Sequence, residues 1–122
     1  MKIALYADGL EGFEKRSREL MKKLDRGERI KPQASITFAD PMDMLEVLTS
    51  ERLRVYQMAR QEPASISTLA ARLNRLTPSV RRDVKKLVSI GVLRTREQVN
   101  PGHGRVKIVE PVAQRLELRA VL

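Results

Sequence analysis

Hydrophobic positions along the chain change period several times, and each change predicts an element. Residues 2–7, Lys-Ile-Ala-Leu-Tyr-Ala, form a short β-type run that ends at the turn pair Asp8-Gly9. Residues 10–26 turn helical, with Phe13, Leu20, Met21 and Leu24 as a thin apolar stripe and Gly27 as a stop. Such a stripe is too narrow for an independent core, so the helix is expected to pack on the main domain or on a second subunit. Residues 28–35, with Lys31-Pro32, read as a linker, and residues 36–39 as an extended apolar segment. Asp40-Pro41 starts a helix carrying Met44, Leu45 and Leu48. Thr49-Ser50-Glu51 re-caps the chain into a second helix, with Leu53, Tyr56 and Ala59 on its apolar face, ending at Glu62-Pro63.

The next four segments form a sequence of their own. Ile66 reads as a lone buried strand residue and Ser67 as the N-cap of a short helix over residues 68–74, with Leu69, Ala70 and Leu73 inward. Arg75-Leu76 is a tight turn, with Leu76 plugging it. Residues 77–90 are then one helix, with Thr77 as N-cap, Pro78 in the first position and Gly91 just past the end. Val80, Val84, Leu87 and Val88 hold it to the core, and Ser79, Arg81, Arg82, Lys85, Lys86 and Ser89 cover the rest. After Gly91 the period becomes two. Residues 92–99 and 105–109 alternate around Asn100-Pro-Gly-His-Gly104, which is a β-hairpin with Arg94, Arg96 and Lys107 on one face. Two short helices, the second basic, followed by a hairpin make a helix-turn-helix with a wing. The last residues, from Arg115, are read as a strand able to pair with residues 3–7.

The expected fold is therefore mainly α with a small β-hairpin, a winged helix-turn-helix with an N-terminal strand-helix arm. Residues 1–35 are the arm, for dimerisation or partner binding, residues 36–112 the DNA-binding domain and residues 113–122 a tail.

Charge sharpens this picture. The net charge is +9, and residues 64–96 hold eight Lys and Arg against Asp83 alone, a net of +7. A localised basic surface is the footprint of a polyanion binder. The basic helix lacks an exposed aromatic that would insert in a bilayer. No run of about 18 apolar residues spans a membrane, and the opening residues turn charged too early for a signal peptide. The chain holds no cysteine, which excludes disulfides and thiolate metal sites and agrees with a cytoplasmic setting.

Candidate chemistry is that of binding. His103, the one histidine, stands in a glycine-flanked turn, and neither a phosphate-cradling loop nor metal-ligand spacing occurs. No enzyme activity, metal or cofactor is expected. Asp40 and Asp43 are read as capping carboxylates at a helix start. A helix in the major groove reads bases from its N-terminal half, which nominates Ser79, Arg81, Arg82 and Lys85. For Arg82 and Lys86 the alternatives are an ion pair with Asp83 or plain solvation. Thr77 and Ser79 suit phosphate, and Arg75 in the turn is a phosphate contact, with Thr68 and Arg72 weaker candidates. Arg94 on the wing, and His103 and Arg105 at its tip, are placed against the backbone or the minor groove, or in solvent.

Residues 36–109 resemble the winged-helix transcriptional regulators of prokaryotes, the broad group of MarR-type and ArsR-type repressors. The likeness rests on Ile36-Thr-Phe-Ala-Asp-Pro41, on the Ser-Ile-Ser-Thr-Leu-Ala-Ala-Arg-Leu stretch at 65–73, and on Arg82-Asp-Val and Gly91-Val-Leu in residues 82–93. It implies sequence-specific binding of double-stranded DNA, usually as a homodimer. An alternative implied for some members is an antitoxin that binds a toxin and represses its own operon. Metal sensing of the ArsR type does not fit a chain with no cysteine and one histidine.

Overall fold

The computed structural model describes residues 1–30 and 34–122. The elements run β1 (Lys2–Ala7), α1 (Gly9–Asp25), β2 (Ala34–Thr37), α2 (Pro41–Val47), α3 (Ser50–Gln61), α4 (Ile66–Leu73), α5 (Thr77–Ser89), β3 (Leu93–Val99), β4 (Arg105–Pro111) and β5 (Arg115–Ala120). The architecture is mixed α/β with two small sheets, where the sequence pattern predicts one hairpin in a mainly α chain. Two compact units divide it: Met1–Glu46 with Arg115–Leu122, and Val47–Gln114.

The first unit is built on a parallel sheet in the order β2-β1-β5. Ile3 pairs with Ala34 on one side and with Leu116 on the other. A central parallel strand is covered on both faces, so it needs consecutive apolar residues. Ile3, Ala4, Leu5 and Ala7 are all buried. The tail strand was expected beside residues 3–7 and lies there, within one chain. The expected linker is shorter than its pattern suggests, since Ala34 and Ser35 already belong to β2, while Lys31, Pro32 and Gln33 lie outside the described residues. Residues 36–46, assigned by pattern to the domain starting at 36, belong to this unit because β2 pairs with β1.

Asp8 opens α1 without capping it. Its carboxylate is bonded to Arg16, whose guanidinium stacks on the Tyr6 ring at 3.6 Å from the centroid. Gly12 makes room for that carboxylate, because a Cβ there would collide with it. Gly27 at φ +72° closes α1 as a Schellman motif, with its N–H on the Leu24 carbonyl and the Glu28 N–H on Lys23, both at 3.0 Å. At α2 the Asp40 carboxylate accepts from the Met42 N–H at 2.8 Å, the capping role expected of it.

The second unit packs three helices and the antiparallel β3–β4 hairpin around one aliphatic core, including Val55, Leu69, Val80, Leu87, Val92 and Val109. The buried Tyr56 hydroxyl donates to the Ala113 carbonyl. Thr49 caps α3 as predicted, accepting from the Arg52 N–H at 3.3 Å.

Six local expectations are corrected. Ser65, not Ser67, caps α4, accepting from the Thr68 N–H at 3.2 Å. Ala64 exchanges backbone bonds with Val109 at 3.3 and 2.8 Å, which pins the chain at the residue before the cap. Ala64 is thus the buried bridge residue, and Ile66 is a half-buried helical one. Asn74 leaves α4 in the left-handed region at φ 53°, which asparagine tolerates, so it ends the helix rather than continuing it. Thr77 lies inside α5, whose N-cap is Leu76. Leu76 does not plug the turn and is 79% exposed. Val80, Val84 and Leu87 are buried, but Val88 is 37% exposed, one position round the helix from the stripe. Gly91 adopts φ +90° as expected, and Val92, whose N–H bonds the Leu87 carbonyl at 3.1 Å, is fully buried beyond it.

Candidate nucleic-acid interface

The net charge divides between the two units unequally. Val47–Gln114 carries thirteen Lys and Arg against five Asp and Glu, net +8. The other unit is nearly neutral.

Four of the five acids of this unit are engaged by particular arginines. Asp83 on α5 accepts from Arg75 at 2.6 Å and from Arg52 on α3 at 3.2 Å. Arg52 also donates to the Val47 carbonyl at 3.0 Å, and Arg75 to the Ser79 hydroxyl at 2.7 Å. This ties the end of the α4–α5 turn, α5 and α3 together. Glu62 pairs with Arg72 at 3.4 Å, and the Arg72 guanidinium also donates to the Glu62 carbonyl at 3.1 Å. Glu110 sits between Arg94 at 3.0 Å and Arg96 at 3.1 Å. Those two bonds, Arg96 first, hold its carboxyl below the usual glutamate range. Glu97 takes Arg105 at 3.1 Å.

What remains on α5 is a set of four cations. Arg81, Arg82, Lys85 and Lys86 are exposed, and among the described residues none of their side chains makes a hydrogen bond or ion pair. Helical geometry puts Arg82 and Lys85 on the side directly away from the Val80-Val84-Leu87 stripe. Arg81 and Lys86 flank them. Asp83 and Ser79, one turn apart, lie together on another flank, where Arg75 binds both. The single acid of α5 is thus turned off its cationic face.

The eleven residues nominated from sequence separate accordingly. Arg81, Arg82 and Lys85 come together on one surface. Thr77 and Ser79 are half-buried, and Ser79 is occupied by Arg75. Arg75, expected on phosphate, has its guanidinium folded onto α5 with a side chain 21% exposed. The Thr68 hydroxyl accepts from Ser65 at 3.0 Å. Arg72 is turned back to the end of α3. Arg94 and Arg105 are tied to Glu110 and Glu97 yet keep 61% and 72% of their side chains exposed. His103 is exposed at the hairpin tip, its backbone N–H on the Asn100 carbonyl at 2.9 Å. The ion pair considered between Asp83 and Arg82 or Lys86 does not form. Lys107 stands opposite Glu97 and so faces away from Arg94 and Arg96, not with them.

Arg52 was missed as a functional residue, and so was the role of Asp83. The available signal was that Asp83 is the one acid in a strongly basic stretch, a position that invites pairing with arginines from neighbouring elements. Among the described residues no group of three His, Cys, Asp or Glu side chains could hold a metal. None of their helices is long and apolar enough to cross a membrane.

No curated protein sequence matches the chain. A solved structure, a possible transcriptional regulator from Methanosarcina mazei Go1, is 27% identical over 62% of this chain and 68% of its own, with a TM-score of 0.49. At that level of superposition the likeness carries no argument about function. The family model HVO_A0114 matches residues 47–112, from the start of the second unit through β4. The segment Ile36–Pro41, part of the sequence resemblance, lies outside that match. Since the match covers more than half of the 122 residues and coincides with the basic unit, the chain belongs to the HVO_A0114 family.

Proposed function

We propose that residues 47–114 form a winged helix-turn-helix that binds double-stranded DNA and regulates transcription. In this reading α5 enters the major groove and the β3–β4 hairpin, as the wing, lies on the backbone or in the minor groove. One observation carries it: α5 presents four cations with no acidic partner, while Arg52 and Arg75 hold its one acid aside. A solvated charged face needs no such separation, because mixed signs serve solubility as well. Arg82 and Lys85 point furthest from the core and are placed to reach base edges, where the arginine fork suits guanine O6 and N7. Arg81 and Lys86 on the flanks suit phosphates.

Fluorescence anisotropy with DNA from upstream of the protein's own gene, over a salt series, tests this reading. The expected result is a preferred sequence and an affinity that falls with salt, log K dropping by about 0.9 per phosphate contact for each unit of log salt. Binding without sequence preference, or without salt dependence, would overturn it.

A further inference from the structure

The four engaged acids of the second unit stand differently toward water. Asp83 and both its arginines are largely withdrawn from solvent. Glu62 lies further out than its partner Arg72, and Glu97 and Arg105 are both exposed. Glu110 reverses the Glu62 arrangement. Its side chain is 19% exposed, while Arg94 and Arg96 above it are 61% and 45% exposed. One withdrawn acid thus carries two outward cations and leaves a positive charge over.

The geometry of that cluster is specific. Arg94 stands opposite Glu110 in the hairpin, and Arg96 follows two positions along on the same face. Each arginine takes its own carboxylate oxygen through Nε, Arg94 on Oε1 at 3.0 Å and Arg96 on Oε2 at 3.1 Å. A guanidinium held at Nε keeps its Nη donors for a second acceptor. Among the described residues the Arg94 Nη atoms bond nothing, and those of Arg96 make one bond, from Nη1 to Gln98 Oε1 at 2.9 Å. We propose that Arg94 and Arg96 form a phosphate clamp on the wing, with Glu110 as the residue that positions both. The proposal rests on the DNA-binding reading and adds Arg96 and Glu110 to it. Strand geometry sets the two arginines about 7 Å apart along β3, enough for each to take a phosphate of its own. Glu110 orders both side chains before DNA arrives, so less rotamer freedom is lost on binding. Phosphate oxygens then meet the outward Nη edges in charge-assisted bonds.

The test is fluorescence anisotropy of the full chain with duplex DNA from upstream of its own gene, over a salt series. Arg94→Ala and Arg96→Ala are each expected to lower the salt slope by about 0.9 and to weaken matched and scrambled duplexes alike. Glu110→Gln separates positioning from plain electrostatics. Loss of an acid from a DNA-binding surface by itself tightens binding. Loss of the positioning residue instead weakens it, at least about three-fold, with a shallower slope. Arg94→Ala should then cost less in the Glu110→Gln protein than in the unaltered one. Circular dichroism checks that each variant keeps its fold. Tighter or unchanged binding by Glu110→Gln, or arginine variants with the original slope, would each overturn the clamp. Arg82→Ala distinguishes this from failure of the DNA-binding reading. If it weakens binding while the wing variants do not, the clamp alone falls. If the unaltered protein shows no salt-dependent binding, the reading falls and the clamp with it.

Discussion

The Arg75 guanidinium donates to the Asp83 carboxylate at 2.6 Å, across the α4–α5 turn, with side chains only 21% and 13% exposed. Arg52 approaches the same carboxylate from α3 at 3.2 Å. Two arginines from separate elements therefore converge on one acid, and the pair orients α5 on the rest of the unit. Removing that acid leaves two poorly solvated cations facing each other. Asp83→Asn is expected to cost about 1–2 kcal/mol, below the loss for a fully buried pair because water still reaches the site. Urea denaturation measures it, and an unchanged midpoint would refute the role given to Asp83.

Arg75→Ala is expected to act on stability and not on the number of phosphates contacted. Its Nη2 is spent on Asp83 and Ser79, and its Nη1 is buried without a partner among the described residues. The salt slope of DNA binding should match that of the unaltered protein, while the urea midpoint falls. A slope lower by about 1 would mean that Arg75 contacts a phosphate after all.

The α5 cations should behave in the opposite way. Arg82→Ala and Lys85→Ala are expected to change stability by less than about 0.5 kcal/mol, since both are exposed and unpaired. Each should weaken binding to the preferred DNA. Loss of about 1–3 kcal/mol together with relaxed sequence choice marks a base contact, whereas a uniform loss with a shallower salt slope marks a phosphate contact. Anisotropy against matched and scrambled duplexes separates the two.

Burial along α5 predicts unequal costs for similar truncations. Leu87 is fully buried and Val88 is 37% exposed. Leu87→Ala should lose about 2–4 kcal/mol to transfer and cavity terms. Val88→Ala should lose less than about 1 kcal/mol. Equal losses in thermal or urea unfolding would mean that α5 is rotated about its axis from the orientation described.

Glu110 makes the hairpin sensitive to acid. Its folded carboxyl titrates below the ordinary glutamate range because Arg96 and Arg94 bond the charged form. A depressed folded value contributes stability above the unfolded value, and that contribution is lost as the pH falls through the folded one. The unfolding midpoint should therefore decline on acidification below about pH 5, and Glu110→Gln should flatten part of that decline. An NMR titration of the Glu110 carboxyl gives the direction independently.

Much of the candidate site was legible because helical period and capping chemistry are local. Pro78, the Val80-Val84-Leu87 stripe and Gly91 located α5 within a residue at each end, and the exposed Arg81, Arg82 and Lys85 followed from the same period. The hairpin followed from alternation around a turn of loop-forming residues. Cap assignments failed where several serines and threonines compete within a few positions. Ser65 prevailed over Ser67 only because Ala64 is pinned to Val109, a contact between residues far apart in sequence.

The sequence by itself determined the order of elements, the basic character of residues 64–96 and the Val80-Val84-Leu87 stripe of α5, since these depend on neighbours three or four positions away. Tertiary structure alone decided which cations stay free. Arg75 and Arg81 are both arginines beside the same helix, yet one is consumed by Asp83 and the other faces water. It also decided that the last strand lies parallel to the first, in a sheet with β2. Ion pairing and strand order depend on which distant segments the core brings within about 4 Å and 5 Å of each other, and no local period records that.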